Sequence, residues 1–202
     1  MKTNSFSAAL TILLVSAAIG FAQSSSKFGL KGGAIFERQE FQYRGSTEHS
    51  SYDVGIYLNS SPANWISMMA ELHLVQKGSF KRDILLTEST PSLSLLNVGL
   101  PERVHYASIP LLVKLSPEWR KFSPFLTAGP RVDFLLSDVS SEFLEFAQNY
   151  ARINWGGSFG LGIQNQWLSF ELRWEYSHTH YYDSDFLRAK HNSMVMLVGI
   201  GL

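Results

Sequence analysis

Three groupings in the sequence carry side chains that could do chemistry. His178-Thr179-His180-Tyr181-Tyr182-Asp183-Ser184-Asp185, with His191 close behind, brings imidazoles and carboxylates together in a way that suits a divalent metal or a lipid headgroup. Two histidines two residues apart at a strand end point the same way, and a neighbouring carboxylate would complete the set. A polar, aromatic loop has the same composition and is the commoner meaning of such a stretch, so the expectation is no metal and no cofactor. Glu175, Ser177 and His178 supply the three groups of a hydrolase. That trio must converge in space, and residues 177 and 178 point to opposite faces of a strand unless the strand has already ended. Glu71 and His73 share one strand face, where a satisfied member of a charge network is the more usual identity than a catalyst. The expectation is a protein without catalytic residues.

The elements that must position these groups are strands. From Leu168 to Ser177 every position alternates, with Leu168, Phe170, Leu172, Trp174 and Tyr176 on one face and Ser169, Glu171, Arg173, Glu175 and Ser177 on the other. Looser forms of the pattern recur over 68–77, 109–115 and 126–134. Together they predict eight strands, near 28–38, 51–59, 66–78, 105–115, 123–136, 152–165, 167–178 and 193–202. Their connections alternate between short turns near 60–65, 116–122 and 165–166 and long polar loops near 39–50, 79–104, 137–151 and 179–192. An all-β, eight-stranded antiparallel up-and-down barrel with two unlike ends accounts for this alternation.

Composition bears on the solvent. Only 17% of the 202 residues are charged, against about 25% in ordinary soluble chains. Lys plus Arg and Asp plus Glu number 17 each, which leaves no basic excess for nucleic acid. Cysteine is absent, so disulfides, thiol catalysis and Cys-based metal sites are excluded. The stretch Phe6 to Ala22 is uncharged and follows Lys2, and Gly20-Phe21-Ala22 offers small residues before a cut ahead of Gln23. Residues 1–22 therefore read as a cleaved signal peptide and 23–202 as the barrel domain. An uncleaved anchor would need a longer run, roughly 20 apolar residues. The longest uncharged apolar run after that, Met194 to Leu202, is one strand long rather than one helical span.

Which face is charged decides between a soluble ligand carrier and a transmembrane barrel. An ionised side chain at the lipid midplane costs about 2–4 kcal/mol, so in a membrane the charges must point inward. There they balance: Lys31, Lys77, Lys114, Arg131 and Arg173 against Asp53, Glu71, Asp133, Glu171 and Glu175, with His73 among them. Eight strands leave space only for side chains, which predicts a salt-bridged core rather than a pore. Inward glycines, including Gly160 and Gly199, would make room for the long cations. Trp65, Trp119 and Trp167 fall at the short turns and Trp155 and Trp174 near the other strand ends, the placement of two membrane-interface aromatic belts.

Phe28-Gly29-Leu30-Lys31-Gly32-Gly33, Glu71-Leu72-His73-Leu74-Val75-Gln76-Lys77-Gly78, Ile109-Pro110-Leu111-Leu112-Val113-Lys114 and Phe125-Leu126-Thr127-Ala128-Gly129-Pro130, in this order, resemble the PorT-like outer-membrane β-barrel family. The resemblance spans nearly all of the chain after residue 22. It implies an outer-membrane barrel contacting outer-membrane lipids and the barrel-assembly machinery, and brings no catalytic residue with it. Leu202 departs from the terminal aromatic that assembly signals favour, leaving recognition to Met194, Met196, Val198 and Ile200. The greasy segment Arg82 to Val104 and the segment Ser141 to Tyr150, read as a short helix, would form an outer layer able to meet an extracellular or envelope protein partner. The function expected is non-enzymatic, through the outer loops, in envelope integrity, adhesion or secretion and assembly support. The alternatives are a barrel-embedded lipid- or peptide-modifying hydrolase and a small-solute pore.

Overall fold

A computed structural model of the chain describes residues 26–41, 45–63, 65–78, 103–117, 122–136, 151–180, 182–183 and 188–202. They form β1 (Ser26–Phe41), β2 (Gly45–Ala63), β3 (Ile66–Gly78), β4 (Arg103–Leu115), β5 (Ser123–Leu135), β6 (Ile153–Gln164), β7 (Leu168–Ser177), β8 (Tyr182–Asp183) and β9 (Arg188–Gly201). Each long strand pairs antiparallel with its neighbour in the order β1 through β7 and then β9, and β9 returns to pair with β1. The eight long strands thus close a barrel with no free lateral edge, and β8 is a two-residue ribbon on β9. Leu202 donates its N–H to the Phe28 carbonyl at 2.8 Å and completes the seam. Residues 1–22, read above as a signal peptide, the segments 82–102 and 141–150, and Trp119 lie outside the described residues.

Two expected loops are largely strand. β1 and β2 remain paired from Ser26↔Ser60 out to Phe41↔Gly45, through the region read as the loop 39–50. β9 begins at Arg188, five residues before the strand start expected at 193. Both extensions are polar, and backbone pairing in a ribbon needs no apolar face.

Register fixes the barrel's shape. From Ser26 the pairing runs to Ser60, Met68, Val113, Ala128, Phe159, Trp174 and Met194, and re-enters β1 at Phe36, a stagger of ten residues. With standard strand spacing and rise, eight strands so staggered tilt by about 40° and give a backbone radius of about 8 Å. A lysine or arginine from the wall then reaches the axis. Pro110 and Pro130 each remove a ladder donor, and the β4–β5 pairing is interrupted between Pro110↔Arg131 and Val113↔Ala128.

The outer face is a continuous apolar coat: Leu30, Val54, Ile56, Leu72, Leu126, Leu161, Phe170, Trp174, Met196 and Val198 are all exposed. The inner face is the reverse, and its buried apolar side chains include a cluster of Ile35, Val75, Val195 and Leu197. In water this arrangement would leave the hydrophobic surface on the wrong side; in a bilayer it is the required one.

Candidate functional site in the charged lumen

All eleven charged and imidazole side chains read as inward lie inside the barrel and are buried: Lys31, Asp53, Glu71, His73, Lys77, Lys114, Arg131, Asp133, Glu171, Arg173 and Glu175. The two-residue period puts them there, because their strand neighbours Leu30, Leu72, Val113, Phe134, Leu172 and Trp174 take the lipid side.

Ten of them form two tiers, and Lys114 stands apart, bonded to Gln164. At mid-height, Arg173 is the hub: Nη1 donates to Glu71 Oε2 at 2.6 Å, while Nη2 and Nε reach Glu171 Oε1 at 2.9 and 3.0 Å. Lys31 Nζ ties the same two carboxylates together, at 2.5 Å to Glu71 and 2.7 Å to Glu171. Thr127 adds a hydroxyl donor to Glu171 at 2.8 Å. His73 sits between Asp53, through Nδ1, and Glu71, through Nε2 at 3.0 Å. Toward the long-loop end, Asp133 accepts from Lys77 at 2.8 Å and from Ser108 at 2.6 Å, with Arg131 Nε at 3.2 Å. Arg131 continues to Glu175 and, at 3.3 Å, to Ser177.

Glycine supplies the room. A Cβ on Gly160 would collide with Thr127 Oγ1 and Glu171 Oε1, the atoms of one of these bonds. A Cβ on Gly199 would strike Ser169 Oγ and crowd Lys31 Cγ. Most of the mid-lumen carboxylate oxygens are thus satisfied by ammonium, guanidinium, imidazole or hydroxyl donors, which is what makes buried ions tolerable in a narrow, low-dielectric tube.

Other predicted groups disperse. Ser177 and Glu175 face the lumen, but His178 is exposed and packs at a tilt against Trp155 with ring centroids 4.4 Å apart. The hydrolase trio is therefore split between two faces. His191, read with the loop cluster, is instead buried in the lumen beside Glu37 and 6.5 Å, centroid to centroid, from the Tyr106 ring. Its early place in β9 separates it from His178. His180 is partly exposed beyond the end of β7. Asp183 lies on the β8 ribbon, while Tyr181, Ser184 and Asp185 fall outside the described residues. Among the described residues no group of three or more His, Asp or Glu is placed to share an ion. Trp65 and Trp167 are 59% exposed at the short-turn rim, and Trp155 and Trp174 are exposed on the wall toward the other end. Sequence reasoning missed Glu37, and it missed Gln164, which accepts from Lys114 at 2.6 Å. The residue period alone could have placed Glu37 inside, two positions from Ile35.

Among solved structures, the attachment invasion locus protein Ail of Yersinia pestis is similar over 88% of this chain and 99% of its own, at 12% identity and TM-score 0.47. Neisserial surface protein A is similar over 86% and 96%, at 10% identity and TM-score 0.49. No curated protein matches the sequence. The profile of one family does match, over residues 21–182, most of the chain. With a closed barrel, an apolar coat and a polar interior already in place, the match is decisive: the chain belongs to the outer membrane protein beta-barrel domain family and resides in the outer membrane.

Proposed function

We propose that the barrel is a non-enzymatic anchor whose work is done at its long-loop end, in adhesion, envelope integrity or support of secretion and assembly. The observation that carries this reading is the closed mid-lumen tier of Arg173, Glu71, Glu171 and Lys31, each side chain at most 4% exposed. A tube sealed by cross-strand ion pairs offers no continuous water path, and among the described residues the Ser177, His178 and Glu175 groups do not converge on one reacting centre. Trp65 and Trp167 at one rim and Trp155 and Trp174 toward the other would then hold the barrel at the two lipid interfaces. An extracellular or envelope protein is the expected partner.

The test has two arms. Purified protein in planar bilayers is expected to show no stepwise conductance. Cells carrying a variant with residues 82–100 replaced by a short Gly-Ser linker are expected to retain a folded barrel but lose surface binding, envelope integrity or export. Discrete channel openings, or a wild-type phenotype without the loop, would overturn the proposal.

A further inference from the structure

At the short-turn end the lumen widens into a polar cup of about 410 Å³, within the roughly 300–1,000 Å³ of small-molecule sites. Its lining includes Lys27, Lys31 and Lys114, and no Asp or Glu among the described residues. The two inner lysines differ in how their charge is met. Lys31 is committed to Glu71 and Glu171. Lys114 is 7% exposed, and among the described residues its Nζ is in direct contact only with the Gln164 amide oxygen and the face of Phe125, 4.2 Å from the ring centroid. A buried ammonium with no carboxylate in direct contact among the described residues is costly, and an anion seated in the cup would lower that cost. A second atom is also unsatisfied: Asn59 Oδ1, on the cup wall, is buried without a hydrogen-bond partner.

We propose that this cup is a binding site for a phosphate group. The donors available are point donors from separate strands, the Lys114 ammonium on β4 and the hydroxyls of Ser67 on β3 and Ser169 on β7, and Ser67 is the direct register partner of Lys114. Scattered point donors suit a tetrahedral oxyanion; a planar carboxylate is better matched by an arginine fork, and no arginine lines the cup. The side-chain amide of Asn59 adds a further polar group to the cup wall. Lys27 at the exposed rim adds attraction at the entrance. The same group could arrive as free phosphate or on a lipid headgroup, since the cup opens at the rim where Trp65 and Trp167 stand.

The test uses the full-length folded protein in detergent micelles, with inorganic phosphate as one probe and a short-chain phosphatidic acid as the other. Binding is read by phosphorus NMR line broadening and by calorimetry. Wild type is expected to bind at least one probe, with Lys114→Met weakening it at least ten-fold and Ser67→Ala several-fold. Binding of inorganic phosphate would identify a free-anion site; binding of phosphatidic acid alone would identify a headgroup site. If Lys114→Met loses the heat-dependent gel mobility of a folded barrel, Ser67→Ala with Asn59→Leu serves in its place. Absence of binding to both probes, or equal affinity in wild type and the folded variants, overturns the proposal.

Discussion

Replacing Arg173 by methionine removes the hub of the mid-lumen tier while keeping an unbranched side chain of comparable reach. The guanidinium makes close contacts to Glu71 and Glu171, from 2.6 to 3.1 Å, and is fully buried. Its loss strands two carboxylates that Lys31 and His73 only partly compensate. Breaking a buried ion pair by removing one partner costs about 3–5 kcal/mol, and the remaining cations place the expected loss near the lower end. With a urea slope of about 2 kcal/mol per molar, the unfolding midpoint should fall by about 1.5 M. The assay is equilibrium urea unfolding in detergent micelles, followed by tryptophan fluorescence, with gel mobility confirming a folded start. Adding Glu171→Gln to Arg173→Met removes one stranded charge and should restore part of the loss, whereas Glu171→Gln alone should destabilise. A midpoint shift of Arg173→Met below about 0.5 M, the scale of an exposed pair, would refute the dry, closed network.

Other perturbations probe the coat, the packing and the dispersed candidate groups. Leu161→Arg on the outer wall should cost about 2–4 kcal/mol by the same urea assay, while Trp167→Arg at the rim should cost about 0–1 kcal/mol; equal costs would contradict the membrane depth assigned to these positions. Gly160→Val should sharply lower the heat-modifiable fraction, because its side chain takes the space of the Thr127–Glu171 hydrogen bond; an unchanged fraction would mean that the wall yields there. His178→Ala should leave loop-dependent binding or export unchanged and shift stability by less than about 0.5–1.5 kcal/mol, the worth of its aromatic contact with Trp155. Loss of that activity in a folded His178→Ala barrel would reopen the chemistry of the last loop.

The fold was legible because a membrane barrel writes its period twice, once in the apolar face and once in the charged one. In β7 the run from Leu168 to Ser177 alternates without a break, and the structure places Glu171, Arg173 and Glu175 inside and Phe170 and Trp174 outside. β3 was delimited in the sequence to the residue, 66–78. Legibility ended where lipid ends. Past Arg38 and before Ser50 there is no greasy face to report a strand, and only the backbone ladder continues it. The same blindness detached His191 from β9 and gave it to a loop. Pairings inside the lumen were beyond the sequence for another reason. Period gives the side of the wall, but which cation meets which carboxylate depends on the ten-residue stagger, and no local pattern encodes that.

The seam between β1 and β9 has a consequence for the order of events in folding. It joins the first described strand to the last, and the lumen repeats that demand: Lys31 and Glu171 are 140 residues apart in sequence, Arg173 and Glu71 are 102. Contacts of such separation form late, because loop closure must precede any reward. Until β9 arrives the chain carries two unsatisfied strand edges and a set of hydrated, unpaired charges. Dehydration of the lumen and sealing of the wall are therefore one step, set by delivery of the last fourteen-residue strand. Slowing that delivery, by weakening residues 188–201 alone, should hold the whole barrel open rather than produce a barrel with one frayed edge.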